Sequence, residues 1–292
     1  MTVAIPKLAL FGVGLIGGSV ALALKQAGAV GEVVGVGRSA ANLDHAINLG
    51  IIDRIAVDAA DAVRDADVVL LAVPVGQMAC IMQTIAPHLA AHAIVTDAGS
   101  TKQDVAALMQ RHLGAHLAHC VPAHPIAGAE LSGASAARAD LYQSKNLVLT
   151  PLAATHPDAI ARVTAMWQAC GANISRMSAA EHDAIFAAVS HLPHLLAFAL
   201  VDMIAQRDNA DQLFGFAASG FRDFTRIAGS SPEMWRDIAL ANQPALLAEL
   251  EAYQAQLDKL REALANLDSA ALNQVFSNAQ QARQSWAARI TD

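Results

Sequence analysis

The chain has 292 residues, more than one hydrophobic core usually organises, so we expect two domains. It carries 19 Lys and Arg residues against 26 Asp and Glu residues, a formal net charge of −7, and no segment is rich in basic residues. This balance argues against non-specific binding to nucleic acid. Hydrophobic residues make up 54% of the chain and charged residues 15%, which excludes a disordered protein and indicates apolar surface buried between subunits.

Cysteine spacing and the N-terminal residues bear on the cell compartment. Cys80, Cys120 and Cys170 are far apart and form no CxxC pair, which predicts neither a disulfide framework nor a thiolate zinc site. Residues 1–10 lack the basic start and the long apolar core of a secretory signal. Both features favour the reducing cytoplasm.

Short apolar runs alternate with helix-like segments through the first half of the chain. The predicted strands over 68–73, 93–96 and 117–121 are continuous apolar runs without alternating polar residues, which is typical of strands buried on both faces of a parallel sheet. Residues 146–150 and 173–177, around a helix over 159–170, are predicted to extend the same sheet. The earlier elements are strands over 7–11, 32–36, 68–73, 93–96 and 117–121, and a helix over 17–27 that ends at Gly28.

The pattern changes at Ser178. Residues 178–181 read Ser-Ala-Ala-Glu, a capping-box spacing that predicts the start of a long apolar helix. No strand pattern follows, and the remainder is rich in Ala, Leu and Gln. We therefore predict a first domain over 1–177 and an all-α domain over 178–292, whose apolar face suits a homodimer.

Residues 184–205 are apolar and long enough to span a bilayer. The same stretch contains His191, Pro193, His194 and Asp202. Imidazole and carboxylate groups that face lipid are costly, so we interpret the stretch as a buried helix of the second domain and expect no membrane association.

Residues 12–17, Gly-Val-Gly-Leu-Ile-Gly, lie between the first predicted strand and helix. In such a turn the first glycine allows the tight bend, the second lets the backbone approach a pyrophosphate, and the third allows close helix packing. The motif alone is weak, but in this context it predicts a dinucleotide site in a Rossmann-type doubly wound, mostly parallel α/β sheet. The residues assigned to the cofactor here are Gly12, Gly14, Leu15, Ile16, Gly17, Val73 and Pro74.

The end of the second strand bears on the choice between NAD and NADP. NAD sites usually place an acidic residue there, but residues 35–39 read Gly-Val-Gly-Arg-Ser. The lack of a carboxylate removes repulsion against a 2′-phosphate, Arg38 can pair with that phosphate, and Ser39 can hydrogen-bond to it. We expect NADP, with NAD as the alternative if Arg38 is only a solvated loop residue.

Four further segments carry polar groups. Residues 97–102 (Asp-Ala-Gly-Ser-Thr-Lys) and 124–128 (His-Pro-Ile-Ala-Gly) follow predicted strands, and ligands bind at the carboxyl ends of strands in doubly wound sheets. Residues 190–194 (Ser-His-Leu-Pro-His) and 220–228 (Gly-Phe-Arg-Asp-Phe-Thr-Arg-Ile-Ala) belong to the second region and are expected to face the first two across a cleft.

On the last three of these segments together, the chain resembles the prephenate and arogenate dehydrogenase family of tyrosine biosynthesis, over nearly its full length. The resemblance implies an NAD(P)-dependent oxidative decarboxylation of prephenate to 4-hydroxyphenylpyruvate, of arogenate to tyrosine, or of both. Hydride passes from ring carbon 4 to the nicotinamide, and loss of the ring carboxylate makes the product aromatic.

Two residues are assigned to this chemistry. A neutral imidazole is the side chain best suited near pH 7 to take the proton of the 4-hydroxyl, and His124 is the candidate. The alternative for His124 is a residue that caps the loop before Pro125. By the resemblance Ser100 hydrogen-bonds near the same hydroxyl, and it is equally a candidate N-cap for the helix that follows it.

A dicarboxylate substrate needs cations at its anionic ends. By the resemblance Arg226 binds a carboxylate, which a guanidinium can grip with two parallel hydrogen bonds. Arg222 is interpreted instead as a structural salt-bridge former. His194 matches a histidine of the substrate pocket, and His191 lies one turn earlier on its face. The remaining substrate-binding residues that the resemblance implies are Glu130 and Trp235.

Some alternatives stay open. Ala129 occupies a position where many relatives have threonine, so the preference between prephenate and arogenate is undecided, as is inhibition by tyrosine at the active site.

The 3-hydroxyacid dehydrogenases and the pyrroline-carboxylate reductases combine similar domains. The hydroxyacid enzymes rely on a lysine in the first interdomain helix, and residues 178–205 contain none. A redox-sensing module without turnover is the alternative from another class. No metal site is expected, since His191 and His194 lack a convincing third ligand, and neither a mutase segment nor a regulatory domain is expected.

Overall fold

The structure, a computed structural model, describes residues 5–128 and 133–290. The chain divides into two compact units, Met1–Gln243 and Pro244–Asp292. This division into compact units does not test the boundary predicted at Ser178, which separates functional regions of the chain. That boundary stays a prediction.

The first unit contains all the strands that the structure describes, and the helices alternate with them up to residue 176. The strands are β1 (Ile5–Phe11), β2 (Val30–Val36), β3 (Arg54–Ile55), β4 (Val68–Leu71), β5 (Ile94–Asp97), β6 (Cys120–Val121), β7 (Ala123–Pro125), β8 (Asn146–Leu149) and β9 (Asn173–Arg176). The helices up to residue 176 are α1 (Leu15–Gln26), α2 (Ala40–Asn48), α3 (Ala59–Val63), α4 (Val75–Ile85), α5 (Gln103–His112) and α6 (Pro157–Ala169).

After Arg176 the described part of the chain is helical, as predicted. The helices in the rest of the first unit are α7 (Ala179–Phe186), α8 (Leu192–Ala205), α9 (Ala210–Gly215), α10 (Ser219–Thr225) and α11 (Pro232–Ala241). From Pro244 onward the second unit consists of α12 (Gln243–Ala265) and α13 (Ser269–Ile290). Short 3-10 helices cover Ala86–His88, Gly114–His119, Ala134–Ala136 and Arg226–Gly229.

The first six strands form one parallel sheet in the order β3-β2-β1-β4-β5-β6. This is the order of a Rossmann-type sheet, which confirms the predicted fold class. Alternate residues of β1 enter two apolar clusters, with Leu8 and Leu10 in one and Ala9 and Phe11 in the other. The sheet is therefore covered on both faces, and its order reverses between β1 and β4, where such sheets bind ligands.

Strands β8 and β9 do not extend this sheet, so that prediction was wrong. They form a separate three-stranded sheet with β7, antiparallel between β7 and β8 and parallel between β8 and β9. Pro122 separates β6 from β7 and has no N–H to donate to a ladder, so the chain leaves the large sheet there. The predicted strand over 117–121 is also shorter, because its first residues lie in a 3-10 helix.

Two helix ends follow their sequence signals. Gly28 has φ +62°, and the Ala29 amide donates to the Leu24 carbonyl at 2.9 Å, which closes the C-terminus of α1 as a Schellman motif does. The Ser178 hydroxyl accepts a hydrogen bond from the Glu181 amide at 3.1 Å at the start of α7. The capping-box prediction located this helix start correctly.

One helical stretch runs through α7, a π-helical turn (Ala187–His191) and α8. By length and composition this stretch, Ala179–Ala205, is able to cross a membrane. Its polar side chains His182, Asp183 and His191 are buried inside the first unit. Insertion of a π turn is frequent at functional sites, and here it lies between Asp183 and His194 and ends at His191.

A buried ion pair joins the end of β5 to the residue before α5. Asp97 and Lys102 are both fully buried and paired with each other. The Asp97 carboxylate also accepts hydrogen bonds from the amides of Gly99 at 2.8 Å and Ala123 at 3.0 Å. Asp97 therefore fixes the backbone on both sides of the large sheet's carboxyl edge, directly before His124.

We expect Lys102→Met to destabilise the protein by about 3 kcal/mol or more, because Asp97 would be left as an unpaired buried charge. Urea unfolding followed by circular dichroism measures this. The double variant D97N/K102M removes both charges and should recover at least half of the loss. The control is Lys25→Met, which breaks a more exposed pair with Asp53 at 2.7 Å and should cost less than about 1 kcal/mol. Equal losses in the two lysine variants would contradict the prediction.

Candidate active site

The glycine turn between β1 and α1 is built around two crowded positions. Gly12 has φ +94°, and a Cβ there would stand 2.2 Å from the Ala72 carbonyl oxygen. A Cβ on Gly17 would stand 2.2 Å from the carbonyl oxygen of Gly12. Both positions therefore require glycine, the first for the turn and the third for close helix packing, as the motif predicts.

Gly14 differs from its two neighbours in the motif. It is the N-cap of α1, it has φ −112°, and a Cβ there would meet nothing within 4 Å. The space over the helix N-terminus, where Leu15 and Ile16 begin α1, is thus open. An open approach to free backbone N–H groups is what a pyrophosphate needs, so the turn fits a dinucleotide.

The other residues assigned to the cofactor lie nearby. Val73 follows β4 and approaches the turn, with its Cγ1 3.0 Å from where a Gly12 Cβ would be, and Pro74 is the N-cap of α4. Arg38 is exposed, with one guanidinium nitrogen 3.7 Å from the Glu233 carboxylate. The Ser39 hydroxyl accepts a hydrogen bond from the Asn42 amide at 3.2 Å and caps α2.

His124 lies in β7, at an edge of the smaller sheet, and is partly exposed. Its Nδ1 is 2.8 Å from Nε2 of His182, and its ring packs against Phe186 with centroids 4.9 Å apart. Burial lowers the pKa of His124 well below its usual value, and the positive charge of Lys102 lowers it further. The ring is therefore neutral at pH 7. His124 lies in a strand and its ring bonds to another side chain, so it does not act as a cap of the loop before Pro125.

From the sequence, Asp183 was considered only as an unconvincing metal ligand, and its pairing with His182 was not predicted, although a polar pair within an apolar helix is a signal of a buried role. His182 Nδ1 is 2.8 Å from Asp183 Oδ1, and both side chains are fully buried. Burial would raise the pKa of Asp183, but hydrogen bonds from His182 and from the Gln103 and Lys102 amides outweigh it and lower this pKa. Asp183 is therefore ionised.

Asp183 also caps α5, which corrects one reading of Ser100. Its carboxylate accepts the amides of Lys102 at 2.8 Å and Gln103 at 2.9 Å. The N-cap residue of α5 is Lys102, without a side-chain cap of its own, so Ser100 is not the N-cap of this helix. Ser100 lies beside the buried His191, whose protonated form its backbone favours.

His191 is held by Asn242. The Asn242 side-chain amide donates to the Asp183 carbonyl at 2.8 Å and lies 3.0 Å from Nδ1 of His191. Burial lowers the pKa of His191 to about 4, so this ring is neutral as well. The rings of His191 and His194 both face Trp235, with centroids 6.1 Å and 3.5 Å from it, which agrees with the predicted shared face.

His194, Trp235 and Arg226 come together in the structure. The rings of His194 and Trp235 are stacked, with centroids 3.5 Å apart. His194 Nδ1 lies 2.9 Å from the Ser190 carbonyl, so Nδ1 donates and Nε2 is the acceptor of the neutral ring. Burial lowers the pKa of His194, and the positive charge of Arg226 lowers it further. Arg226 begins the 3-10 helix Arg226–Gly229, which contacts α8.

The remaining predictions concern Arg222, the residues Glu130 and Ala129, and a metal site. Arg222 forms an ion pair with Asp223 at 3.9 Å, and because both side chains are exposed the pair contributes little to stability; its structural role stays a prediction. Glu130 and Ala129 lie outside the described residues. Within residues 5–128 and 133–290, no group of three or more His, Cys, Asp or Glu side chains is placed to hold a metal ion.

Comparison with known families agrees with the sequence resemblance. The family described as the prephenate dehydrogenase nucleotide-binding domain matches residues 20–176, and the one described as the prephenate dehydrogenase dimerization domain matches residues 178–278. The chain is 40% identical over 278 residues to the cyclohexadienyl dehydrogenase of Zymomonas mobilis, which covers 94% of both chains. It is 36% identical to the prephenate dehydrogenase of Bacillus subtilis over 94% of this chain and 74% of that one.

The chain is also similar to solved structures of a prephenate dehydrogenase and an arogenate dehydrogenase. The prephenate dehydrogenase of Aquifex aeolicus in complex with hydroxyphenyl propionate and NAD+ superposes with a TM-score of 0.90 at 33% identity, over 98% of this chain and 99% of that one. The Synechocystis arogenate dehydrogenase superposes with a TM-score of 0.79 at 29% identity, over 96% and 99%.

We expect Gly14→Ala to fold normally and to raise the Kd for NAD and NADP by about tenfold or more, because the added methyl group occupies the open space over α1. Quenching of protein fluorescence by the dinucleotide measures the Kd, and thermal unfolding checks the fold. The control is Gly28→Ala, at φ +62°, which should cost about 1 kcal/mol of stability and leave the Kd unchanged. An unchanged Kd in Gly14→Ala would move the pyrophosphate site away from this turn.

Proposed function

Since the chain belongs to the prephenate dehydrogenase family, we propose that it catalyses the NAD(P)-dependent oxidative decarboxylation of prephenate to 4-hydroxyphenylpyruvate, of arogenate to tyrosine, or of both. The observation that carries the proposal is the neutral, partly exposed imidazole of His124, which follows the carboxyl edge of the sheet. Hydrogen bonds link it through His182, Asp183 and Asn242 to His191, and the rings of His191 and His194 both face Trp235.

His124 handles one proton in this reaction. Its neutral ring takes the proton of the 4-hydroxyl as the hydrogen on ring carbon 4 leaves as hydride, for which a bound nicotinamide supplies the acceptor. The oxygen becomes a carbonyl. Loss of CO₂ then sends the electrons of the broken C–C bond through the ring to that oxygen, and His124 returns the proton to form the phenol. The base ends as it began.

A second cluster, formed by His194, Trp235 and Arg226, binds the carboxylates of the substrate in this proposal. Arg226 supplies a guanidinium for one of them, which can hold a carboxylate with two parallel hydrogen bonds. His194 and Trp235 present a flat stacked surface beside it. Ser100 lies after β5, close to His191, and donates its hydroxyl hydrogen towards the substrate oxygen in this proposal.

The cofactor is held at the turn of Gly12, Gly14 and Gly17 in this proposal, and NADP is preferred over NAD. Arg38 is exposed and pairs with the 2′-phosphate. The Ser39 hydroxyl accepts a hydrogen bond from Asn42 and retains its own hydrogen to donate to that phosphate.

The protein acts as a cytoplasmic homodimer in this proposal, with the functional boundary between Met177 and Ser178. The matched dimerization family supports the dimer. Exposed apolar residues occur in the first unit at Val189 and Phe216, and separately in the second unit at Leu267. All three cysteines are free, which agrees with a reducing compartment.

The test of the function is an initial-rate assay of the purified protein with prephenate and arogenate, each against NAD and NADP. Formation of reduced nicotinamide and release of CO₂ are measured together. The proposal expects equal amounts of both products in at least one combination, and the largest kcat/KM names the substrate and the cofactor. Binding of the dinucleotide without turnover in any combination would contradict it and would favour the redox-sensing module.

We expect His124→Asn to lower kcat by about 100-fold or more with little change in the Kd for the cofactor, because the base for the 4-hydroxyl is lost. Steady-state kinetics and cofactor titration measure the two quantities. Near-normal turnover would remove His124 from the chemistry.

We expect Arg226→Ala mainly to raise KM for the substrate, because a hydrogen bond to a charged group contributes about 1.5 to 3 kcal/mol and the substitution removes the guanidinium that binds the carboxylate. The matched control is Arg222→Ala, a neighbouring exposed arginine, which should leave KM unchanged. Equal effects of the two substitutions would place the anion site elsewhere.

A further inference from the structure

We infer that Asp183 and His182 are positioning residues that fix the tautomer of His124, so that its Nε2 carries no proton and is the basic atom. The hydrogen-bond chain is a property of the structure by itself. Its use in catalysis rests on the proposed function, in which His124 is the base.

The chain of hydrogen bonds has a direction. An ionised carboxylate can only accept, so His182 Nδ1, 2.8 Å from Asp183 Oδ1, must carry the proton of its ring. Burial lowers the pKa of His182, so this ring is neutral at pH 7 and its other nitrogen, Nε2, carries no proton. Nε2 therefore accepts from His124 Nδ1 at 2.8 Å. With its proton on Nδ1, neutral His124 has its lone pair on Nε2.

The direction depends on Asp183 remaining ionised inside the protein. Its side chain is fully buried, and its oxygens accept the Lys102 and Gln103 amides as well as His182. These two amides open α5, where the helix dipole also favours a negative charge. A protonated Asp183 would lose this fit, so the carboxylate is a fixed acceptor.

The groups around His124 act on its protonation in two directions. The cation and the other rings oppose it, and the carboxylates favour it. Lys102, before α5, and the rings of His182 and His191 disfavour a second positive charge. Asp97, at the end of β5, is paired with Lys102 and favours protonation of His182. Asp183 likewise favours protonation of His182 and, through that ring, stabilises an imidazolium at His124.

Packing fixes the rings as well as the hydrogen bonds do. Phe186 contacts both rings, with centroids 4.9 Å from His124 and 4.5 Å from His182, and the two histidine rings meet nearly edge-on at 63°. Neither ring can turn over without breaking a hydrogen bond. Asp183 and His182 therefore determine both the proton position and the aim of the basic nitrogen.

The first test is nuclear magnetic resonance of the whole protein with ¹⁵N-labelled histidine, which reports the tautomer of each ring without any turnover. His124→Asn identifies the signal of His124. In the wild type we expect His124 with its proton on Nδ1. In Asp183→Asn the amide would donate to His182 Nδ1, His182 would carry its proton on Nε2 and donate to His124, and His124 would shift to the Nε2–H tautomer.

The second test uses kinetics of two His182 variants. In His182→Gln the amide oxygen can accept from His124 and the amide nitrogen can donate to Asp183, so kcat should stay within about tenfold of the wild type. His182→Phe keeps a ring against Phe186 but removes the acceptor, so kcat should fall by about 100-fold with the Kd for the cofactor little changed.

His88→Gln and His88→Phe are the matched controls, since His88 is exposed at the end of a 3-10 helix after α4. They should change neither the tautomer of His124 nor kcat. The inference is overturned if wild-type His124 carries its proton on Nε2, if Asp183→Asn and His182→Phe leave its tautomer unchanged, or if the Gln and Phe variants of His182 lose kcat equally. Absence of turnover in the wild type would overturn the proposed function instead, and the tautomer would still decide the inference.

Discussion

The buried carboxylate of Asp183 is the contact on which the site depends. One side chain on α7 binds the two amides that open α5 and the ring of His182, while its backbone carbonyl binds Asn242. It thereby joins the first helix after the α/β region to the sheet and to α11. A carboxylate without these partners would be costly to bury, so the contacts are made together or not at all.

A second buried carboxylate makes the arrangement possible. Asp97 neutralises Lys102 and holds the amide of Ala123, so the cation that faces the histidines has a partner and β7 has a fixed start. The histidines can then stay neutral near a buried ammonium group. The same balance of charge that organises the core thus keeps His124 in the form that accepts a proton.

The nucleotide turn follows a different principle, in which space matters more than charge. Gly12 and Gly17 are required by contacts within the protein, whereas Gly14 borders space that the protein leaves open. The two sites meet at the carboxyl edge of one sheet, because parallel strands all end on the same side. In the proposed function, that common edge would bring the dinucleotide at the glycine turn near the imidazole of His124.

The sequence by itself determined the features that depend on neighbouring residues. The glycine turn, the capping signal at Ser178 and the buried strands all act through local backbone geometry and hydrophobic periodicity, and these predicted the fold class. The resemblance in three short segments led to the family. His124 was assigned from chemistry that the residue type itself supplies, and this role stays a prediction.

Only the tertiary structure decided which polar groups meet. Asp183 and Lys102 are 81 positions apart, and His124 and His182 are 58 apart, so no spacing rule connects them. The same applies to Asn242 with His191 and to the separate sheet of β7, β8 and β9, which Pro122 and long-range pairing create. Hydrogen bonds between distant residues form only after the core has brought their helices together, whereas turns and caps are fixed by a few consecutive dihedral angles.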